Sequence, residues 1–166
     1  MFRIKLLILS LVSLFLISCS KNNSSLNQNK YSIAYIGGEY NGLILENILR
    51  SHLQSSNLYD ISSAYQINAS VGHSGSLFVT NIDNTSDRER VDTSVQLIIF
   101  NKLYDCNIYT FGETVSQFYI MASNDKFISN EKAIEKIRYE NTDILVRKFI
   151  NNLKYVDLKN CSKEDE

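Results

Sequence analysis

The chain has 166 residues, of which 44% are hydrophobic and 21% are charged. These values are typical of a single folded domain, and they exclude both a disordered chain and a second independent core. With 17 basic and 18 acidic residues, the net charge at pH 7 is −1. This near-neutral charge argues against a nucleic-acid partner, because displacing phosphate counterions requires a basic surface.

The N-terminal residues predict a secretory leader. Arg3 and Lys5 precede a mainly apolar run over residues 6–17, which is shorter than the roughly 20 residues of a membrane-spanning helix and has the proportions of a signal peptide. Residues 16–19 read Leu-Ile-Ser-Cys, which resembles the lipobox of bacterial lipoproteins. We therefore predict a signal peptide over residues 1–18 and lipid attachment at Cys19. The alternative is an ordinary signal peptide followed by a coincidental cysteine.

The residues after Cys19 indicate where such a lipoprotein would lie. Ser20 stands where an aspartate commonly retains a lipoprotein in the inner membrane, so we expect the outer membrane, with the protein lipid-anchored on its periplasmic face. Residues 19–30 are polar apart from one leucine and predict a flexible tether. The folded domain is expected over residues 31–160, with residues 161–166 as a solvated tail.

The periodicity of apolar residues predicts two helices and about four strands in the order β-α-β-β-β-α. Because the helices are segregated from the strands, the expected fold class is α+β, a two-layer sandwich with two helices packed on a mostly antiparallel sheet. Asn41 is the expected N-cap of the first helix, and a turn at residues 101–105 predicts a hairpin. In chain order the predicted strands cover residues 31–36, 65–71, 91–100 and 107–121, with a short apolar run at 77–79, and the helices cover residues 42–54 and 129–153.

The mature chain as a whole resembles a known family. After Cys19 come an early short strand, a helix written YNGLILENILRSHL, a polar loop ending at Arg88-Glu89-Arg90, a hairpin written VDTSVQLIIFNKLYDCNIYTFGE and a link into a long last helix. In this order the features resemble the LptE family of lipopolysaccharide-assembly lipoproteins. Two departures are the bulkier opening of the last helix, NEKAIEKIRYEN, and the absence of a glycine from the hairpin turn.

The resemblance implies a structural partner. LptE-like proteins sit inside the lumen of the LptD β-barrel as a plug and assembly partner, and together the two place lipopolysaccharide in the outer leaflet. Barrel lumens are polar, and the strand positions expected to face solvent here are polar and uncharged, although any periplasmic domain would show similar ones. They are Gln66, Asn68, Ser70, Thr93, Asn107, Thr110 and Ser116.

The resemblance also implies direct contact with lipopolysaccharide through basic residues near the strand loops. Arg88, Arg90 and Lys102 are the candidates here, because arginine pairs with phosphate groups bidentately. The alternative is an ordinary solvated loop, since Asp87 and Glu89 alternate with the two arginines.

No enzymatic site, cofactor or metal site is predicted. The stretch Gly72-His73-Ser74-Gly75-Ser76 departs from G-x-S-x-G at its last position, and His73 is expected in an exposed loop at the end of a strand. His52 lies on the apolar face of the first helix and is expected to be a hydrogen-bonded structural histidine. A hydrolase that uses Ser74 and His73 is kept as a third possibility for mutagenesis to test.

Two cysteines remain beside Cys19. An even pair in the oxidising periplasm favours a disulfide between Cys106 and Cys161, which would join the hairpin turn to the tail. Whether the two sulfur atoms come close is left open by the sequence.

A second functional hypothesis belongs to another class. The protein would then be an auxiliary lipoprotein of an envelope lipid-transport system of the ABC type, binding a soluble or inner-membrane component. Small α+β lipoproteins serve both roles, so the fold class does not separate them.

Overall fold

The computed structural model describes residues 29–79, 87–121 and 127–158. It confirms the predicted β-α-β-β-β-α order and the α+β fold class. Among the described residues, no helix is both long enough and apolar enough to cross a bilayer. The elements are β1 (Tyr31–Ile33), α1 (Glu39–Ser55), β2 (Tyr65–Val79), β3 (Asp87–Asn101), β4 (Cys106–Ile120), α2 (Phe127–Asn152) and a closing 3₁₀ turn (Leu153–Tyr155).

The four strands form one sheet in the order β1-β2-β3-β4. The short β1 pairs in parallel with the first three residues of β2, and α1 forms the crossover that a parallel pair requires. The other strands are antiparallel and paired along almost their whole length, with one irregularity in the β3–β4 register between Ile99 and Phe100. Each of these three strands has 15 residues and is therefore about 50 Å long.

The two ends of this long sheet differ. We call the end with the β3–β4 turn proximal and the end where β2 stops and β3 begins distal. Helix α1 has 17 residues, about 26 Å, and covers only the proximal part of β2, whereas α2 has 26 residues and runs along most of the sheet. The hydrophobic core is consequently proximal, and its fully buried side chains are Leu45, Leu49, Leu53, Ile67, Leu97, Ile99, Leu145, Val146 and Phe149.

Alternate residues of β3 point into this core. Val91, Val95, Leu97 and Ile99 are all buried, as the period of two in a strand requires. Thr93 has the same parity and is 0% exposed, so the prediction that it faces solvent is wrong. Its hydroxyl is tolerated there because two side chains from other elements hydrogen-bond to it.

Helix α1 begins three residues earlier than predicted. Its N-cap is Gly38, which has φ 105°, and Asn41 lies inside the helix without acting as the cap. The glycine at position 42 permits this early start, because any residue with a Cβ atom there would place it 2.3 Å from the carbonyl oxygen of Gly37. Only glycine permits the helix to pack this closely against the backbone that leads into it.

Strand β2 is continuous where a break was predicted. Gly72 and Gly75 pair with Ser94 and Val91 of β3, because the ladder of the neighbouring strand overrides the low strand propensity of these residues. His73 is therefore a mid-strand, half-buried residue, and the prediction of an exposed loop histidine is wrong.

Candidate functional site

One face of the sheet carries no described element. Both helices pack on the other face, so the residues of β2, β3 and β4 that alternate with the core form a surface that we call the open face. Hydroxyl and amide side chains dominate it, and at its centre Ser70, Ser94 and Gln96 are exposed. The other uncharged polar residues on this face are Gln66, Asn68, Ser74, Ser76, Asn107, Thr110, Thr114 and Ser116.

Two charged side chains on the open face, Arg90 and Asp92, form an ion pair. Arg90 Nε donates to Asp92 Oδ1 at 2.7 Å, and another guanidinium nitrogen donates to Ser116 Oγ at 3.1 Å. The Ser116 hydroxyl donates to the same Asp92 oxygen. This hydroxyl, followed by Arg90, lowers the pKa of Asp92. Arg90 is thus held in a closed network in β3, whereas the sequence placed it in a loop.

The distal end of the sheet exposes apolar side chains next to a basic one. Ile120 lies across from Arg88 in the β3–β4 register, and Phe118 and Ile120 are 59% and 68% exposed. Arg88 is exposed and makes no ion pair with any described residue. We call Arg88, Phe118 and Ile120, which lie on the same face of the sheet, the distal tip.

On the helix-covered face near this tip, a side-chain hydrogen bond joins β3 and β4. The Tyr119 hydroxyl donates to Glu89 Oε2 at 2.8 Å. Burial and this carboxylate raise the pKa of Tyr119 to about 12, so the hydroxyl remains a donor at neutral pH. Glu89 consequently points away from Arg88 and does not neutralise it.

The structure does not bring the three basic candidates together. Lys102 is exposed in the proximal β3–β4 turn, and its backbone N–H donates to the carbonyl oxygen of Ala64. Arg90 lies twelve residues earlier on the same strand, a separation of about 40 Å. One small ligand therefore cannot contact both ends.

Neither histidine forms a hydrolytic pair with a serine. His52 Nε2 lies 2.7 Å from Asp143 Oδ1, which confirms the expected hydrogen-bonded structural histidine. His73 and Ser74 are adjacent in β2 and therefore point to opposite faces of the sheet. In the described part of the chain, no three His, Cys, Asp or Glu side chains are grouped as metal ligands.

Cys106 begins β4, is buried and is disulfide-bonded. Its predicted partner Cys161 lies outside the described residues, as does the predicted lipid-attachment residue Cys19. The Cys106–Cys161 pairing and the predictions for the leader therefore remain predictions.

Sequence reasoning missed the apolar part of the distal tip. Phe118 and Ile120 were assigned only to the predicted strand over residues 107–121. A usable signal was present, because Phe118, Ile120 and the polar Ser116 share one parity in β4, which identifies these large apolar residues as facing away from the core.

Comparison with solved structures shows which proteins share this fold. No protein-family model and no curated protein matches the chain, but solved structures do. Rare lipoprotein B from Shewanella oneidensis superposes with a TM-score of 0.60 at 11% identity, over 78% of this chain and 95% of the other. This chain has the rare lipoprotein B fold. A minor lipoprotein from Acinetobacter baumannii matches 77% of this chain and 92% of its own, with a TM-score of 0.52 at 14% identity.

Rare lipoprotein B is the LptE homologue, so the resemblance noted in the sequence is confirmed at the level of fold. The superposed region covers 95% of the Shewanella oneidensis protein, so the similarity extends over nearly all of that protein. What this chain binds is a separate question, because one fold supports different functions.

Proposed function

We propose that this protein is an outer-membrane lipoprotein, anchored through Cys19, that serves as plug and assembly partner of an LptD-like β-barrel. In this role it takes part in the transport and insertion of lipopolysaccharide. The observation that carries the proposal is the two-sided sheet: helices cover one face, and no described element covers the polar open face. The rare lipoprotein B fold supports the same assignment.

The open face suits a polar barrel lumen. Its hydroxyl and amide groups can exchange hydrogen bonds with water for hydrogen bonds with lumen side chains. Its Arg90–Asp92–Ser116 network is already satisfied internally. Burying this face against a barrel therefore leaves few charges without a partner, which is the main cost of burying a polar surface.

The distal tip suits a phosphorylated lipid. Exposed Phe118 and Ile120 offer apolar contact to acyl chains, and Arg88 offers a guanidinium that makes no ion pair with a described residue. Lipopolysaccharide presents both chemistries side by side. Of the three basic candidates, Arg88 is thus the favoured contact. Arg90 is already bound to Asp92 and Ser116, and Lys102 lies at the proximal end of the sheet.

The barrel partnership can be tested by purification from the native outer membrane in mild detergent. We expect a near-equimolar large β-barrel protein to co-purify with the full-length lipoprotein. Gln96→Arg places a bulky charge at the centre of the open face and should abolish co-purification, whereas Asn151→Arg, exposed on α2, should not. Recovery with ABC-transporter components, or recovery alone, would reject the plug role.

Lipid contact at the distal tip predicts different effects for two basic residues. Arg88→Gln should weaken binding of purified lipopolysaccharide by roughly three- to tenfold, since it removes a charge-assisted contact at an exposed site. Lys102→Gln should leave binding unchanged, because Lys102 follows Arg88 by fourteen residues, about 46 Å along the sheet. Equal losses in both variants would show nonspecific charge attraction and would contradict a site at the tip.

A further inference from the structure

A cleft lies on the helix-covered side of the molecule, at the point where α1 begins. It has a volume of about 230 Å³ and lies between α1, the first half of α2 and β2. Tyr40 and Asn41 of α1 line one side, Arg138 and Tyr139 of α2 line the other, and His73 of β2 lines it from the sheet. The cleft is therefore separate from both the open face and the distal tip.

A chain of hydrogen bonds leads from Asn141 through Thr93 to the His73 ring. Asn141 is fully buried, and its Nδ2 donates to the carbonyl oxygen of Val91 at 3.4 Å, which fixes the orientation of the amide because a carbonyl can only accept. The same nitrogen donates to Thr93 Oγ1 at 3.5 Å. The Thr93 hydroxyl, 3.0 Å from His73 Nδ1, is then free to donate to that nitrogen.

When Nδ1 accepts the Thr93 proton, a neutral His73 carries its own proton on Nε2, on the other side of the ring from Thr93. Burial, together with the charge of Arg138, lowers the pKa of His73, so the ring is neutral at pH 7. His73 lines the cleft, and in this tautomer its Nε2–H is a hydrogen-bond donor.

Arg138 supplies the positive charge of the cleft. Its guanidinium makes no ion pair with a described residue, so an anion in the cleft would be its first charged partner. The hydroxyls of Tyr40 and Tyr139 and the side-chain amide of Asn41 add further hydrogen-bonding groups to the lining. Residues able to donate hydrogen bonds thus line the cleft from α1, α2 and β2.

We infer that this cleft binds a phosphate group, with the guanidinium of Arg138 and the ring of His73 as its principal contacts. Donors from three elements match a tetrahedral oxyanion better than a planar carboxylate, whose two oxygens lie in one plane. The cleft has room for a phosphate monoester but not for a whole lipid. Glu135 also lines the cleft and, as an exposed carboxylate, opposes the anion and limits its affinity.

The test is calorimetric titration of the full-length lipoprotein in detergent micelles with inorganic phosphate, against sodium chloride of matched ionic strength. We expect saturable binding that Arg138→Gln weakens roughly 10- to 100-fold, as loss of a hydrogen bond from a charged group predicts. Glu135→Gln should strengthen binding severalfold, because it removes the opposing carboxylate. Lys132→Gln, an exposed α2 residue outside the cleft, is the matched control and should have no effect.

Short-chain phosphatidic acid, titrated in the same way, identifies the source of the group. Stronger binding of this lipid than of inorganic phosphate points to a lipid headgroup, and the reverse points to a free phosphate; both support the site. No saturable phosphate binding, equal binding of acetate, or unchanged affinity in Arg138→Gln would overturn it. If Arg138→Gln does not fold, unchanged affinity in Glu135→Gln would also overturn it.

Discussion

At the scale of single residues, His73 couples stability to pH. Its ring is partly buried in β2 beside Arg138, and both burial and that charge disfavour the protonated form. Glu135 also lines the cleft, and its negative charge opposes this effect, but burial has the largest influence on the pKa of His73. The folded state therefore binds a proton at His73 less readily than the unfolded chain does.

The sign of the effect follows from this difference. Below the ordinary pKa of 6.5, the unfolded chain takes up a proton that the folded state resists, so the free energy of unfolding falls as the pH is lowered from about 7 to 5. The slope from this group is at most about 1.4 kcal/mol per pH unit. His73→Gln should lose this component. Urea titrations at several pH values would measure it, and parallel curves for the two proteins would contradict it.

Thr93 shows what residue-level reasoning could and could not predict. Its parity with Val91, Val95 and Leu97 was visible in the sequence and indicated burial. Its hydroxyl indicated exposure, and the partner that resolves the conflict, Asn141, is 48 residues away. Such a pairing depends on how α2 lies on the sheet, which no local pattern of residues specifies.

At the scale of elements, the start of α1 depends on one glycine. A methyl group at Gly42 would meet the Gly37 carbonyl at 2.3 Å, whereas one at Gly112 in β4 would meet nothing within 4 Å. Gly42→Ala should lower the free energy of unfolding by roughly 1–3 kcal/mol through overpacking. Gly112→Ala should be neutral or stabilising by up to about 1 kcal/mol. Chemical denaturation measures both, and similar values would mean that the backbone around Gly37 can move away.

The β3–β4 turn forms without the glycine that the LptE family often has there. Asp105 adopts φ 52°, a left-handed conformation that aspartate tolerates better than most residues. Asn101 Oδ1 accepts the backbone N–H of Leu103 at 2.9 Å and orders the start of the turn. The position of the hairpin was therefore predictable from the two alternating strands, and the departure in its turn has a local solution. The continuity of β2 through Gly72 and Gly75 was not predictable, because the pairing with β3 determines it.

At the scale of the whole molecule, order along the chain was easier to predict than distance in space. The alternation of helical and strand periods was sufficient for the α+β class, because the helices are segregated from the antiparallel strands. The basic candidates were grouped because each lies near a predicted loop. Arg88 and Lys102 bound the same 15-residue strand, and a strand of that length holds its ends far apart.

The contrast between the buried proximal core and the exposed distal end has a consequence for hydrogen exchange. Backbone amides in one continuous ladder share the same hydrogen-bond geometry, but the cost of opening them depends on the side chains packed around them. We expect the amides of Leu97 and Ile99 to exchange only through global unfolding and that of Glu89 through cheaper local opening, which residue-resolved deuterium uptake would show. Uniform protection along β3 would contradict this. A gradient would mean that the proximal half is the stable base of the molecule, and that the distal half is the part able to rearrange when it meets a partner.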